Sequence, residues 1–392
     1  MKLKRMQQLP IKNKRVFLRV DFNVPLDADR KITSDLRIRN ELKTIEYILE
    51  RKPKQLIIAT HLGRPGGRDD PELSLEPVAR RLSQYLKQPV YLHEHIISKV
   101  PEDKSVVLLE NLRFDAGEKQ GSMRFARALA RHADVYINDA FGTAHRKDAS
   151  VYKLPQLLPS GAGYLIEHEI EEVHLEHERP QVAIFGAAKI SDKLPVFKKL
   201  LLKVDKLILG GGVLFTFLKA GGLNVGRSLV EDDMIETARH LLDTYGEKIV
   251  FPVDVKVTAK SDLKRFKSMT LPEKERFITT VPLNKIPPRQ AAFDIGPASV
   301  RLFSEVIRNA RTVVWNGPLG LFEIPPFDKG TREIAKTLSK EHVTTIICGG
   351  DTAAALRRTR YKQDMDHIST GGGASLELLA GNKLPALEAL KK

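Results

Sequence analysis

Charged and glycine-rich motifs recur in this chain directly after short apolar runs. The motif DFN (21–23) follows the run at 15–20, and HLGR (61–64) follows the run at 55–60. Six further motifs follow apolar runs in the same way: ENLR (110–113), ND (138–139), GAAK (186–189), GGG (210–212), NGP (316–318) and GGDT (349–352). If the runs are strands of parallel sheets, the motifs lie at the carboxyl ends of strands, where α/β proteins bind ligands. Eight such motifs indicate two binding crevices.

The motifs of the first half are rich in arginine and histidine. The cationic candidates are Arg37, His61, Arg64, Arg113, His145 and Arg146. Arginine binds carboxylate and phosphate through two parallel N–H bonds, so these residues indicate a small substrate with more than one anionic group. Alternatively, individual arginines pair with Asp21, Glu110 or Asp139 and are structural.

Glycine clusters in the second half are typical of loops that bind phosphate through the backbone. Gly349 and Gly350 stand before a predicted helix, whose first N–H groups can face phosphate oxygens. Asp351 is either a cap of that helix or a ligand that holds Mg²⁺ against a nucleotide. The segment STGGGAS (369–375) also precedes a helical pattern, but it lacks a lysine and the Walker A spacing. Its positive charge must come from elsewhere in the chain.

Two lysines in the segment at 189–193 are candidates for that charge. Lys189 and Lys193 are four residues apart, so both can reach one anion if a helix begins near Ser191. Glu323 follows a Gly-Pro-Leu-Gly turn and can accept hydrogen bonds from ribose hydroxyls. These groups are the ones expected of a nucleotide site.

The elements that position these motifs alternate between short apolar runs and amphipathic segments. Predicted strands cover 15–20, 55–59, 105–109, 135–137, 182–185, 206–209, 248–251, 312–315 and 343–348. The segment SLEPVARRLSQYL (74–86) has a helical pattern, with a serine cap and Pro77 in its first turn. Continuous apolar strands joined by helices predict an α/β protein with parallel sheets covered on both faces. The predicted strands are more numerous than one sheet usually contains, which favours two domains.

Composition restricts the classes of function. The 392 residues carry a formal net charge of +15, which favours anionic partners. No basic run is interleaved with aromatic residues and no zinc-finger spacing occurs, so nucleic acid is not expected as the main partner. No apolar stretch approaches the ~18 residues of a membrane span. Cys348 is the only cysteine, and a cytoplasmic location is expected. A nicotinamide dehydrogenase would need G-x-G-x-x-G after an early strand, and none is present there.

Ordered motifs of the chain resemble the phosphoglycerate kinase family. They are VFLRVDFNVP (16–25), HLGRP (61–65), ENLRF (110–114), NDAFGTAHR (138–146), SDKL (191–194), WNGPLGLFE (315–323), GGDTAAAL (349–356) and STGGGASLELL (369–379). The resemblance extends from about residue 11 to the last residue. It implies a monomeric glycolytic and gluconeogenic phosphotransferase. Such an enzyme moves a phosphoryl group reversibly from 1,3-bisphosphoglycerate to ADP, giving 3-phosphoglycerate and Mg-ATP, in line between two domains that close.

The resemblance also implies roles for individual residues. Phosphoglycerate would be bound by Asp21, Phe22, Asn23, Arg37, His61, Leu62, Gly63, Arg64, Arg113 and Arg146. The nucleotide would be bound by Lys193, Gly211, Gly296, Asn316, Glu323, Gly349, Gly350, Asp351 and Thr352. Asp351 would hold the Mg²⁺ of Mg-ADP or Mg-ATP. Arg37, Lys189 and Gly372 would be catalytic, with Arg37 and Lys189 neutralising the phosphoryl group in transit.

The implied architecture is two similar-sized Rossmann-like domains, each a parallel sheet with helices on both faces, joined by a hinge helix. Residues 1–165 would bind phosphoglycerate, and residues 181–375 would bind the nucleotide. The charged segment at 166–180, which includes His168, His174 and His177, would be the connecting helix. Its histidine spacing favours a solvated helix over a metal site. Residues 376–392 would return to the N-terminal domain.

The chain departs from the family pattern at one position. The family usually has Gly-Gly-Ala-Lys where this chain has Gly186-Ala187-Ala188-Lys189. A Cβ atom at residue 187 would be strained if the backbone there adopted an angle that only glycine tolerates. Because alanine is small, we expect the role of Lys189 to persist.

Overall fold

The chain folds into two compact units in a computed structural model that describes residues 3–173 and 177–391. Unit 1 comprises Met1–Glu172 and Asn382–Lys392, and unit 2 comprises Val173–Gly381. The predicted connecting helix at 166–180 overlaps a helix at Tyr164–Glu172, while residues 174–176, including His174, lie outside the described residues. The assignment of one substrate to each domain stays a prediction.

Unit 1 is built on a parallel six-stranded sheet with the strand order β3-β4-β2-β1-β5-β6. Its strands are β1 Arg15–Arg19, β2 Gln55–Ala59, β3 Tyr91–His93, β4 Val106–Leu109, β5 Val135–Asn138 and β6 Ser160–Ala162. Its helices are α1 Leu36–Glu50, α2 Glu76–Leu86, α3 Ala116–Lys119, α4 Met123–Ala130, α5 Tyr164–Glu172 and α15 Pro385–Glu388. Alternate residues of β1 are buried on both faces: Val16 and Leu18 lie in a core with α1 and α2, and Phe17 stacks on Tyr136.

Unit 2 contains a second parallel six-stranded sheet, with the strand order β15-β14-β13-β7-β8-β9. Its strands are β7 Gln181–Phe185, β8 Lys206–Leu209, β9 Ile249–Val250, β10 Asp254–Thr258, β11 Thr279–Pro282, β12 Ala291–Ile295, β13 Thr312–Asn316, β14 Thr344–Cys348 and β15 His367–Ile368. Its helices are α6 Leu194–Lys203, α7 Val213–Ala220, α8 Ile235–Tyr245, α9 Lys260–Arg265, α10 Leu271–Glu275, α11 Pro297–Arg308, α12 Lys329–Leu338, α13 Gly350–Arg357 and α14 Gly373–Leu379.

Helices cover both faces of the unit 2 sheet. Ala183 and Phe185 of β7 lie in one core with α6, α7 and α8, whereas Val182 and Ile184 lie in a second core with α11 and α12. A strand buried on both faces needs a continuous apolar run, because successive side chains point to opposite faces. The predicted α/β class with two parallel sheets is confirmed.

Each predicted strand matches an observed strand to within one residue at either end. Among the described residues, the prediction missed six strands, β3, β6, β10, β11, β12 and β15, three of which form an antiparallel sheet in the order β11-β10-β12. Strand β11 is largely exposed, so it has no continuous apolar run. This strand therefore lacks the sequence signal of the buried parallel strands.

The predicted serine cap of α2 lies one residue before the N-cap position. The helix begins at Glu76, and its N-cap residue is Leu75. The hydroxyl of Ser74 accepts the N–H of Glu76 (3.3 Å) and donates to Glu110 (2.8 Å), whose carboxylate also accepts the N–H of Leu75 (2.8 Å). Ser74 and a carboxylate from the loop after β4 thus share the capping of this helix. Within the described residues, no helix is long and apolar enough to cross a membrane.

A pair of buried carboxyl groups lies at the start of α5. Glu41 of α1 and Asp139 after β5 are both fully buried. Asp139 accepts hydrogen bonds from the N–H of Ile166 (2.9 Å) and the hydroxyl of Thr44, which in turn accepts from the N–H of Tyr164 (3.1 Å). Burial, followed by the neighbouring Asp139, raises the pKa of Glu41 well above its usual range. Glu41 therefore holds its proton to a higher pH in the folded protein than in the unfolded chain.

This raised pKa makes the stability of unit 1 depend on pH. The unfolded chain releases the Glu41 proton near pH ~4.3, whereas the folded protein keeps it, so stability is lost as the pH rises through the folded-state pKa. Glu41→Gln keeps a donor toward Asp139 without a titrating proton. We expect its melting temperature to exceed that of wild type by a margin that grows between pH 5 and pH 8.

Thermal unfolding measured across this pH range checks the expectation. Glu46→Gln is the matched control, because Glu46 is exposed on the same helix. A margin for Glu41→Gln that does not change with pH, or that matches the control, would contradict the raised pKa of Glu41.

Candidate active site

Polar groups hold the loop after β1 beside the loop after β2. The N–H of Phe22 donates to the hydroxyl of Thr60 (2.8 Å), and the N–H of Gly63 donates to the side-chain oxygen of Asn23 (3.0 Å). Gly63 has a φ of +62°, and an added Cβ would lie 2.7 Å from a leucine side chain, so this turn requires glycine. The side chains of Phe22 and Leu62 are buried in the core. Only their backbone groups can face a ligand.

Asp21 pairs with one of the predicted catalytic arginines. The guanidinium of Arg37 donates to the carboxylate of Asp21. Burial raises the pKa of Asp21, but the positive charges of Arg37 and Arg19 outweigh it and lower the pKa to about 2. The structural alternative, an arginine paired with an acidic neighbour, therefore holds for Arg37. A phosphoryl group would have to compete with Asp21 or use the remaining N–H groups.

His61 is kept neutral by its surroundings. Burial lowers its pKa well below the usual range, and Arg19 lowers it further, against the opposing effect of Asp21. A guanidinium nitrogen of Arg19 lies 3.3 Å from Nδ1 of His61. Arginine can only donate, so Nδ1 accepts and the proton lies on Nε2, which can donate to an anion.

The sequence prediction missed Arg19. This residue is fully buried, donates to the hydroxyl of Ser150 (2.8 Å) and lies 3.8 Å from the carboxylate of Glu118. Its signal was present in the sequence, because it is an arginine within the apolar run RVFLRV (15–20). A buried arginine inside a strand needs several partners, and here one of them is a predicted ligand residue.

Arg113 is the strongest anion-binding candidate of unit 1. Its side chain is 4% exposed, and Nη1 donates to the carbonyl of Gly63 (2.7 Å). Nε and Nη2 are buried and have no hydrogen-bond partner in the described part of the chain. Burial, then Arg146 and Arg19, lower the pKa of Arg113 to about 10. Arg64 is exposed and Arg146 half-buried. A bound anion would satisfy the donors that the protein leaves unpaired.

A cavity of about 430 Å³ lies in unit 2, among the loops that follow β7, β8, β13 and β14. Its lining includes five of the predicted residues: Lys189, Lys193, Gly211, Glu323 and Asp351. Much of the remaining lining is apolar, including Leu214, Phe215, Val255, Phe293 and Phe322. A cavity of this size, lined by both apolar and charged side chains, suits a nucleotide.

Asn316 and Thr352 hold the loops behind this cavity. Asn316 accepts a hydrogen bond from Nζ of Lys193 (2.9 Å) and donates to the carbonyl of Cys348 (2.9 Å). The hydroxyl of Thr352 also donates to that carbonyl (2.8 Å) and accepts the N–H of Gly317 (2.7 Å). Burial lowers the pKa of Lys193. These bonds fix Lys193 relative to β13 and β14.

Six predicted residues are not part of the described cavity lining: Gly296, Asn316, Gly349, Gly350, Thr352 and Gly372. Gly349 has a φ of +91° and precedes α13. Gly296 precedes α11, whose first N–H groups are capped by the carboxylate of Asp254. Gly372 has a φ of +54° and precedes α14, with no heavy atom within 4 Å of an added Cβ. Their ligand-binding roles stay predictions.

The backbone at Ala187 does not need glycine. The described non-glycine residues in the left-handed region are Asn13, Arg30, Lys52 and Lys87. Ala187 is buried in the core of unit 2, and its carbonyl accepts the N–H of Val213 (2.9 Å). The strain considered for a Cβ at this position therefore does not arise.

The helix predicted near Ser191 begins slightly later. A 3₁₀ turn covers Ser191–Lys193, and α6 begins at Leu194, with a proline in its first turn. Lys189 is exposed and forms no hydrogen bond or ion pair within the described ranges. Lys189 and Lys193 nevertheless both line the cavity. That they bind one anion stays a prediction.

Comparisons with known proteins agree with this geometry. The family model described as phosphoglycerate kinase matches residues 6–382. The phosphoglycerate kinase of Pelotomaculum thermopropionicum is 46% identical over 400 residues, covering 99% of this chain and 98% of the relative. That of Aquifex aeolicus is 46% identical over 399 residues, covering 98% and 97%. Among solved structures, the phosphoglycerate kinase from Coxiella burnetii has a TM-score of 0.85 at 36% identity, covering 99% of both chains. The one from Pyrococcus horikoshii OT3 has a TM-score of 0.83 at 31% identity, covering 99% and 98%.

The unpaired donors of Arg113 yield a test that needs no substrate. Arg113→Met removes a buried guanidinium with two unpaired donors, so we expect its melting temperature to be no lower than that of wild type. Inorganic phosphate, at ionic strength matched with chloride, should raise the melting temperature of wild type by binding the folded state. It should raise that of Arg113→Met by less.

Arg124→Met is the matched control, because Arg124 is an exposed arginine of the same unit. An Arg113→Met variant that phosphate stabilises as much as wild type would show that Arg113 does not bind the anion.

Proposed function

The chain belongs to the phosphoglycerate kinase family, and from this we propose how its residues carry out the family's reaction. The enzyme transfers a phosphoryl group reversibly between 1,3-bisphosphoglycerate and ADP in glycolysis, giving 3-phosphoglycerate and ATP. We assign phosphoglycerate to unit 1 and the nucleotide to unit 2. The observation that carries this assignment is the different chemistry of the two sites: buried cations in one, and a half-apolar cavity with lysines in the other.

Unit 1 suits a small molecule with both a carboxyl and a phosphate group. Arg113 has two buried donors without a partner in the described residues, and Arg64 and Arg146 add positive charge. His61 contributes a neutral N–H from Nε2, which can bond an anion at any pH above its lowered pKa. Asn23 and Gly63 fix the turn between these side chains. Several donors on one rigid edge favour a ligand with two anionic ends.

Unit 2 suits the nucleotide. The apolar wall with Phe293 and Phe322 would pack against the base, and Glu323 would accept the ribose hydroxyls. Lys193 and Lys189, which also line the cavity, would bind phosphate oxygens. The glycines of the loops after β8 and β14 leave backbone N–H groups accessible to phosphate, because they carry no Cβ.

The metal of the nucleotide would be held by Asp351. This carboxylate is exposed in the first turn of α13, lines the cavity and acts electrostatically on Lys193. In the described residues no group of three or more histidine, cysteine, aspartate or glutamate side chains could hold a metal ion. A single carboxylate fits Mg²⁺, which usually keeps several waters and is completed by substrate phosphates. When bound, Mg²⁺ would neutralise charge on the phosphate oxygens.

The reaction needs no general base from the protein. A carboxylate with a pKa near ~4 and the terminal phosphate of ADP are both ionised at pH 7, so neither acceptor has a proton to remove. One P–O bond to the donor oxygen breaks as a P–O bond to the acceptor oxygen forms. The protein has to orient the two oxygens and neutralise the charge between them. Arg37 and Lys189 would do this, together with the backbone N–H groups that follow Gly372.

Two substrates held on different units must be brought into line for transfer. We therefore propose that the units close during turnover and that residues 166–180 act as the hinge. Both sites are built within one chain, which supports a monomeric enzyme. The single buried cysteine, Cys348, suits the reducing cytoplasm.

A coupled assay tests the proposed function most simply. We expect ATP to form from 1,3-bisphosphoglycerate and ADP in the presence of Mg²⁺, and EDTA to abolish its formation. No ATP above a heat-denatured control would contradict the assignment. Activity that EDTA does not change would contradict the role of Mg²⁺.

Removing the two catalytic cations should affect turnover more than binding. Arg37→Ala and Lys189→Ala are each expected to lower kcat by about 100-fold or more, as is typical when a group that stabilises transition-state charge is lost. The affinity for ADP should change only modestly, because neither residue is the main nucleotide ligand. Lys198→Ala is the control, since Lys198 is exposed on α6. An unchanged kcat in both variants would remove them from the catalytic role.

A further inference from the structure

A carboxylate distant in sequence binds the segment that carries the two lysines of unit 2. We call residues 187–193 the lysine segment. Glu231 is 9% exposed, and its carboxylate accepts the N–H of Ile190 (2.5 Å), the N–H of Ser191 (3.3 Å) and the hydroxyl of Ser191. Three donors from two consecutive residues thus converge on one side chain. They fix the backbone between Lys189 and Lys193.

Helix α7 anchors both ends of this arrangement. The backbone N–H of Glu231 donates to the hydroxyl of Thr216 (3.1 Å), which is buried within α7. At the other end, the carbonyl of Ala187 accepts the N–H of Val213, the first residue of α7 (2.9 Å). The lysine segment is therefore fastened to one rigid helix at two points. Lys189 lies between these points.

The charge of Glu231 also bears on Lys189. Burial raises the pKa of Glu231, but the hydrogen bonds from Ser191 and Ile190 and the positive charge of Lys189 outweigh it and lower the pKa. The carboxylate of Glu231 is thus favoured in its ionised form. Its oxygens are occupied by the donors of Ile190 and Ser191, and Lys189 forms no ion pair in the part of the chain that the structure describes. The ammonium group stays available for a phosphoryl group.

We infer that Glu231 is a positioning residue for phosphoryl transfer and that it acts through Lys189. This inference rests on the proposed function, in which Lys189 neutralises the phosphoryl group in transit. Without Glu231, the backbone directly after Lys189 loses its fixed point, while the bond between Val213 and Ala187 before Lys189 remains. The ammonium group then no longer has one position. Displacing a group that stabilises charge in the transition state lowers the rate of phosphoryl transfer more than it lowers substrate affinity.

Three variants separate the contributions of Glu231. We expect Glu231→Ala to lower kcat by about 10- to 100-fold, since hydrogen bonds to a charged group are worth ~1.5–3 kcal/mol and ~1.4 kcal/mol is tenfold in rate. The KM for ADP should change about threefold or less. Glu231→Gln retains one acceptor oxygen and should lie between wild type and Glu231→Ala. Asp233→Asn is the matched control, because Asp233 is an exposed acid two residues away, and it should behave as wild type.

A double-mutant cycle distinguishes positioning from a general loss of structure. If Glu231 acts through Lys189, then Glu231→Ala should have little further effect on kcat in a Lys189→Ala background. Leu338→Ala, in the core on the opposite face of the sheet, controls for reduced stability: it should lower the melting temperature without lowering kcat.

Two outcomes would overturn the inference. One is a Glu231→Ala variant with wild-type kcat, and the other is a cycle in which the losses for Glu231→Ala and Lys189→Ala are additive. Wild-type activity in the coupled assay is the reference for both. Its absence would refute the proposed function, whereas an active wild type with additive losses would refute only the role of Glu231.

Discussion

The parallel register of the two six-stranded sheets is the constraint on which the rest of the structure depends. In unit 2, Asn316 at the end of β13 is level with Phe185 of β7 and Cys348 of β14. Because parallel strands end at the same edge, the loops after these strands become neighbours although they are far apart in sequence. The lysine segment, the turn that carries Glu323 and the start of α13 meet around one cavity for this reason. The same register in unit 1 places the turn at Gly63 beside the loop that follows β1.

This arrangement places several cationic side chains at the edges of the sheets. Neighbouring groups of the protein pair with some of these cations but not with others. Arg19 is fully buried but is held by Ser150 and lies near Glu118, so it is part of the framework. Arg113 is almost as buried, yet two of its donors have no partner among the described residues. A cation left uncompensated destabilises the ligand-free protein, and a bound anion recovers this free energy. The partners of these two arginines therefore distinguish a structural residue, Arg19, from a candidate for binding the substrate, Arg113. An arginine with unpaired donors also suits a reaction that requires charge neutralisation rather than proton removal.

Much of the fold and part of the site could be predicted from the sequence, for definite physical reasons. Strands buried on both faces appear as continuous apolar runs, so the central strands of both sheets were located to within one residue. The largely exposed strand β11 has no such run, and the antiparallel sheet was missed with it. Lysines four residues apart predicted that both reach one anion, and the structure places both in the lining of one cavity. The contact of Glu231 with Ser191 could not be predicted, because it joins residues 40 positions apart through a geometry that only the fold creates. Likewise, the sequence could not show whether the backbone at Ala187 adopts an angle that only glycine tolerates.

Each unit should bind its own substrate without the other, and amide hydrogen exchange of the wild-type enzyme tests this most directly. With 3-phosphoglycerate alone, we predict slower exchange in residues 21–23, 61–64 and 110–113, and unchanged exchange in 186–193 and 349–352. With Mg-ADP alone, we predict the reverse pattern. Equal slowing of both sets of segments by either substrate alone would contradict the assignment of one anion site to each unit.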